Sequence, residues 1–74
     1  MIEIGDDYRT AIRKLESMGF VRERVTGSHA TYKKDRRRVT VIVTHMKKRV
    51  APNTVKQMNR QIAGDSEWSW GRSL

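Results

Sequence analysis

The chain has 74 residues, 36% of them hydrophobic and 32% charged, with a net charge of +8 from 16 basic and 8 acidic side chains. This is the size of one small, marginally stable domain, and no apolar run approaches the roughly 20 residues of a membrane-spanning helix. The absence of cysteine excludes disulfides and thiolate metal sites, and two widely separated histidines argue against a zinc site. Because the acidic start also lacks the pattern of a secretory signal, we expect a cytoplasmic protein without metal or cofactor.

The first predicted element is a helix over about residues 6–18. Asp6 or Asp7 can cap its N-terminus, and Gly19 tolerates the left-handed backbone that commonly ends helices. Apolar residues recur between them at helical spacing and form one stripe. The stripe consists of Tyr8, Ala11, Ile12, Leu15 and, at its end, Met18. This side of the helix is therefore predicted to face the core.

Three strands are predicted next, over about residues 20–26, 29–34 and 38–44. Gly27-Ser28 is typical of a two-residue hairpin turn between the first two, and a polar turn at 35–37 precedes the third. The third strand has the clearest pattern, because its residues from position 39 onward are β-branched and valines occupy every second position. Val39, Val41 and Val43 alternate with Thr40, Ile42 and Thr44.

A second helix is predicted over about residues 54–63. Thr54 and Gln57 have the spacing of a capping box, and Gly64 is placed to end the helix. Its apolar stripe consists of Val55, Met58 and Ile62. The predicted fold is α+β, in the order α-β-β-β-α, with both helices on one face of a three-stranded antiparallel sheet and the other face open.

We assign residues 1–64 to a single domain and residues 65–74 to a tail that contains Trp68 and Trp70. These tryptophans can pack back on the domain, which we favour because large apolar side chains are seldom left in water. They can instead belong to a partner surface. Stacking on RNA is a third, weaker alternative, because the acidic neighbours oppose it.

The positive charge is concentrated in the middle of the chain. Residues 20–63 carry twelve basic against two acidic side chains, whereas the segments before and after each carry a net −1. Such a field is typical of nucleic-acid binding, with a merely solubilising surface as the alternative. The candidate RNA-binding residues are Lys33, Lys34, Arg36, Arg37, Arg38, Lys47, Lys48 and Arg49.

His29 is the one strong candidate for a catalytic residue. An imidazole exchanges protons near neutral pH, and Arg22 and Arg24 on the preceding strand could hold a phosphate beside it. Ser28 is largely explained by the turn but remains a candidate for support. His45 could be a second acid–base group or bind phosphate, although we prefer a local hydrogen bond at the strand end.

The order of these residues resembles that of the HicA toxin family. The residues that resemble the family signature are Gly19-Phe20, Arg24, Gly27-Ser28-His29 and Tyr32. Residues 41–45 resemble the family's third strand with its trailing histidine, and residues 53–64 resemble its final helix. The likeness covers about residues 8–64.

The resemblance implies a fold like a double-stranded-RNA-binding domain, endoribonuclease activity against mRNA, a catalytic role for His29 and a HicB-type antitoxin that blocks the active site. On this hypothesis His29 acts as general base on a 2′-hydroxyl without metal. Arg22, Arg24 or a residue of the basic loop would stabilise the phosphorane-like charge, and His45 or a lysine would be the general acid.

Two non-catalytic alternatives remain open. The first is a non-catalytic nucleic-acid-binding module of the same fold, in which His29 only donates a hydrogen bond. The second is an accessory protein whose basic surface binds acidic protein surfaces. RNA incubated with the purified protein and with its His29→Ala form would separate them from the enzyme.

Overall fold

The computed structural model describes residues 1–64 and has the expected order of elements. Helix α1 spans Tyr8–Ser17, strands β1, β2 and β3 span Val21–Thr26, His29–Lys34 and Arg37–Ile42, and helix α2 spans Pro52–Ala63. The strands form one antiparallel sheet in the order β1-β2-β3. The predicted α-β-β-β-α fold is therefore confirmed, while the predictions for Trp68 and Trp70 lie outside the described residues. None of the helices within residues 1–64 is long and apolar enough to cross a membrane.

Helix α1 is capped by Asp7, whose side chain accepts a hydrogen bond of 2.7 Å from the backbone N–H of Thr10. The first two N–H groups of the helix, which precede that of Thr10, donate to carbonyls of the loop after β3. Tyr8 donates to the carbonyl of Lys48 and Arg9 to that of Met46, each at 3.0 Å. The N-terminus of α1 thus fixes the basic loop in place and has its own donors satisfied.

Both helices pack on one face of the sheet. The side chains of this face alternate along β2 and β3 with those of the open face. The helix-facing residues Ala30, Tyr32, Val39 and Val41 are all buried, and they join the apolar stripes of α1 and α2 in one core. Helix α2 also covers the outer edge of β3, where buried Gln61 accepts a hydrogen bond from the backbone of Thr40 at 3.4 Å. Strand β1 is the other edge, and all six of its residues are exposed.

Several element boundaries differ by one or two residues from the sequence prediction; α1 begins at Tyr8 rather than residue 6, and β3 begins at Arg37 rather than residue 38. Strand β3 ends at Ile42 rather than Thr44, and the N–H of Val43 donates to the carbonyl of Ser28 at 2.8 Å. Helix α2 begins at Pro52, with Ala51 at the N-cap, so the predicted capping box of Thr54 and Gln57 is wrong. Proline suits the first helical turn, because its φ is already helical and its missing N–H would have no partner there.

The Asp6–Lys14 contact makes stability depend on pH. The Lys14 ammonium, 2.7 Å from the Asp6 carboxylate, lowers the pKa of that carboxyl below its usual 3.8. Because the pKa is lower in the folded state, the contact stabilises above about pH 4 and its contribution is lost as the pH falls through the folded pKa. We expect Asp6→Asn to lower the urea midpoint at about pH 7, with a smaller difference from wild type at about pH 2.

The control for this prediction is the Lys14→Met background, where the same Asp6→Asn change should have a much smaller effect because its partner is gone. A difference between wild type and Asp6→Asn that stays constant across the pH range would contradict the assignment.

Candidate functional site

His29 is the first residue of β2 and lies on the open face of the sheet. It is opposite Thr26 on β1 and Ile42 on β3. Its neighbour Ala30 is fully buried beneath the helices, and successive strand residues point to opposite faces. The partly buried imidazole of His29 is therefore on the side that no helix covers.

A β-bulge separates the two arginines that the sequence places near His29. Arg22 lies opposite Tyr32 and Arg24 lies opposite Thr31, with Glu23 as the extra residue between them. Without the bulge, residues two apart on a strand would share a face. With it, Arg22 lies on the helix side of the sheet and Arg24 on the open side. The structure brings Arg24, but not Arg22, to the face that carries His29.

Arg24 is diagonal to His29 across the β1–β2 ladder. Diagonal neighbours of this kind are about 7–8 Å apart, which long side chains can span. Thr31 and Thr40, which pair with each other, continue the same face. The surface around His29 thus combines one cation with small hydroxyl groups, both of which can donate hydrogen bonds.

Ser28 and His45 lie at the same end of the sheet as His29. Ser28 is in the β1–β2 turn, and its carbonyl binds the N–H of Val43 just beyond β3. His45 follows two residues later, is exposed, and accepts a hydrogen bond from the Lys48 N–H at 3.0 Å through its own carbonyl. This bond involves only the backbone of His45, so the role of its imidazole stays a prediction.

Two of the predicted RNA-binding residues lie on the open face together with an acidic residue. Glu23 is 3.1 Å from Arg38 and 3.9 Å from Lys33. The Arg38 guanidinium lowers the pKa of the Glu23 carboxyl, so this carboxylate is charged at neutral pH. With Arg24, the open face carries three cations and one anion.

Two other residues of the same basic segment bind the C-terminal ends of the helices. Lys34 donates to the carbonyl of Met18 after α1 at 2.6 Å, and Arg37 donates to the carbonyl of Ile62 in α2 at 3.1 Å. Cations are favourable at helix C-termini, where carbonyls lack intrahelical partners. Arg36, in the turn between them, is exposed. The basic segment 33–38 is thus divided between structural and surface positions.

The remaining predicted basic residues, Lys47, Lys48 and Arg49, are exposed in the loop beside the start of α1. The backbone of Arg49 forms an isolated bridge with that of Asp7. This cluster follows the end of β3 at which His29 is paired, whereas segment 33–38 surrounds the opposite end.

A cleft of about 540 Å³ lies on the helix side of the sheet, between α1 and strands β1 and β2. Its charged and aromatic lining consists of Arg9, Arg13, Glu16, Arg22 and Tyr32. Ile12, Val43 and Met46 supply apolar contacts. Arg9 and Arg13 were not predicted as site residues, although their spacing of four residues on a helix places them on one face.

The donor set offers no metal centre in the part of the chain that the structure describes. Within residues 1–64 there is no group of three or more His, Asp or Glu side chains arranged to hold an ion. The chemistry available at the open face is that of an imidazole, two guanidinium groups, one ammonium group, one carboxylate and hydroxyl groups.

The fold and site define a small α+β domain whose open sheet face carries a histidine among cations. Residues 8–63 match the family model described as HicA toxin of bacterial toxin–antitoxin. The chain therefore belongs to the HicA toxin family, and the predicted membership is confirmed. At the level of the family, its function is that of a ribonuclease-type toxin of a toxin–antitoxin system. The comparison with curated proteins and the comparison with solved structures each returned no match.

Proposed function

We propose that this protein is a metal-independent endoribonuclease that cleaves mRNA with His29 as its general base. The observation that carries the proposal is the position of His29 on the uncovered sheet face, diagonal to Arg24, in a chain of a toxin family of ribonuclease type. An imidazole there is open to a polynucleotide, and the adjacent guanidinium offers a fixed positive charge to its phosphate.

The reaction we propose is an internal transfer at phosphorus. The imidazole of His29 removes the proton of a ribose 2′-hydroxyl, and the 2′-oxygen attacks the adjacent phosphate. The bond from phosphorus to the 5′-oxygen of the next nucleotide then breaks, and this oxygen takes up a proton. The products are a 2′,3′-cyclic phosphate and a 5′-hydroxyl, so atoms and charge balance without an added oxidant or metal.

Arg24 is our candidate for stabilising the negative charge that develops on the phosphorane-like phosphate. Preorganised cations act most strongly where charge develops in the transition state. His45, at the same end of the sheet, is the candidate for protonating the leaving 5′-oxygen. Ser28 supports the site through its turn, since its carbonyl joins that turn to the segment leading to His45.

The exposed cations extend the RNA-binding surface beyond the reacting phosphate. Lys33 and Arg38 lie further along the open face, Arg36 is exposed beyond them, and the basic loop 47–49 flanks the other end. Lys34 and Arg37 contribute mainly to the long-range field, because their side chains already bind helix carbonyls.

Family membership also supports a partner. We propose a HicB-type antitoxin whose acidic surface covers His29 and its neighbouring cations, because a buried salt-bridged face would exclude RNA. An mRNA substrate and such a partner place the protein in the cytoplasm.

The experiment that tests the function is incubation of purified wild-type and His29→Ala protein with RNA in EDTA. Cleavage by the wild type with 2′,3′-cyclic ends, and its loss in the variant, supports the enzyme. RNA binding without any cleavage by the wild type would favour the non-catalytic module.

RNA affinity should fall steeply with salt, because phosphate contacts release condensed counterions. We expect Arg24→Gln and Lys33→Gln each to reduce the slope of log affinity against log salt by about one. The matched control is Arg60→Gln, which removes the same charge from an exposed position on α2 away from the open face. RNA binding that is insensitive to salt, or an equal reduction of the slope in Arg60→Gln, would contradict this interface.

A further inference from the structure

The cleft between α1 and β1 holds three guanidinium groups that the domain does not neutralise. Arg9, Arg13 and Arg22 form no ion pair with any carboxylate of residues 1–64, although Glu16 lines the same cleft. Three cations that converge on one concave surface against a single anion favour an anionic ligand.

A largely buried tyrosine lines this cleft. The side chain of Tyr32 is only 3% exposed and lines the cleft, yet its hydroxyl forms no hydrogen bond within residues 1–64. The Tyr32 hydroxyl is not among the buried unpaired side-chain atoms of residues 1–64, so it reaches the solvent of the cleft, where a ligand can replace water as its partner. Burial raises the pKa of Tyr32, with Arg22 acting in the opposite direction, so the phenol keeps its proton and can donate it.

The cleft also has the size and the mixed lining of a small-ligand site. Its volume of about 540 Å³ falls within the range of roughly 300–1,000 Å³ that is usual for such sites. Ile12, Val43 and Met46 provide apolar contact area, and thioether sulfur packs well on flat rings. The ligand class that meets all these features is a nucleotide, with a phosphate for the arginines, a base for the apolar side chains and an acceptor for the phenol.

The bulge in β1 connects this cleft with the face that carries His29. Arg22 lies in the cleft and Arg24 on the open face, on either side of Glu23. Strand β1 is an edge strand with every residue exposed, so a polynucleotide can pass around it. The two arginines then form a short cationic path from one face to the other.

We propose that the cleft is a subsite for one nucleotide of the RNA strand that is cut at His29 on the opposite face, with Arg9, Arg13 and Arg22 on its phosphate and the Tyr32 hydroxyl reading its base or sugar. This inference rests on the proposed function and extends it, because contact with a base in the cleft gives the enzyme a sequence preference.

The test uses the full chain and uridine 5′-monophosphate, with inorganic phosphate titrated in parallel. The mononucleotide should shift the NMR signals of the Tyr32 ring and the Met46 methyl group. The affinity for inorganic phosphate should be lower than that for the mononucleotide by about tenfold or more. Arg13→Gln and Arg22→Gln should each weaken nucleotide binding about tenfold. Tyr32→Phe, which keeps the ring, should weaken it about threefold to tenfold.

The matched control is Arg60→Gln, an exposed helical arginine outside the cleft, whose affinity should stay within about twofold of wild type. Circular dichroism checks that each variant folds. The subsite is overturned if nucleotide shifts occur only on the open face, if the control loses as much affinity as Arg22→Gln, or if phosphate binds as tightly as the nucleotide. It is also overturned if an acidic peptide, but no nucleotide, binds the cleft, which would make it a protein-partner site.

This readout requires no cleavage, so the two hypotheses fail separately. Absence of nucleotide binding in a chain that still cuts RNA through His29 would remove the subsite alone. Nucleotide binding in the cleft of a chain that cuts no RNA would establish the cleft as a nucleotide-binding site and remove the ribonuclease.

Discussion

His29→Ala protein should cleave RNA about a hundredfold more slowly than wild type, or slower still. This is the usual scale for losing a positioned acid–base group. His29 lies at the start of a strand on the uncovered face, so its truncation should leave the fold intact and RNA affinity nearly unchanged. Initial rates on end-labelled RNA in EDTA, together with thermal midpoints of both proteins, measure the two effects.

His29→Gln is the companion variant, since an amide can donate a hydrogen bond but cannot exchange a proton at neutral pH. A His29→Gln protein that binds RNA as tightly as wild type but does not cleave it identifies proton transfer as the role of the imidazole. Full activity in a folded His29→Ala protein would remove His29 from the mechanism. Loss of activity in EDTA would point to a metal instead.

The core could be predicted from the sequence because its pattern is local. The apolar stripe of α1 and the alternation of β3 each repeat with the period of their element, and Leu15, Val39 and Val41 are buried as that pattern requires. The placement of His29 at the start of β2 followed from the Gly27-Ser28 turn, because a two-residue hairpin fixes the register of both strands.

The partners of His29 could not be predicted in the same way. Alternation alone places Arg22 and Arg24 on one face, and only the bulge at Glu23 divides them. All residues of β1 are exposed, so the strand has no buried side that would show the change of register in its sequence.

The functions of the basic residues depended on distant parts of the chain. Lys34 and Arg37 look like their neighbours in sequence, yet the carbonyls of Met18 and Ile62 bind them. The side chain of Asn59 likewise binds a distant part of the chain. It accepts a hydrogen bond from the N–H of Ile2, 57 residues away, and donates one to the carbonyl of Ile2. Such contacts follow from packing of complete elements, and no short motif specifies them.

A 2′-deoxy substitution at the cleaved nucleotide should abolish cleavage at that position in an otherwise unchanged RNA. The proposed mechanism uses the 2′-oxygen as nucleophile, so its removal leaves His29 without a proton to accept and phosphorus without an internal attacker. Binding should persist, because the phosphates that hold the strand are unaltered. A 2′-methoxy group should block cleavage equally, since it retains the oxygen but lacks the proton.

The control RNA carries the 2′-deoxy group at the neighbouring nucleotide instead. Cleavage at the original position should then continue at close to its normal rate.

The chemical ends of the products identify the reaction independently of rates. Wild-type protein should leave a 2′,3′-cyclic phosphate, or the monophosphate formed when water opens it, opposite a 5′-hydroxyl. Continued cutting of the 2′-deoxy RNA would mean that water attacks phosphorus directly. The imidazole would then have to activate a water molecule, and the proposed internal transfer would be wrong.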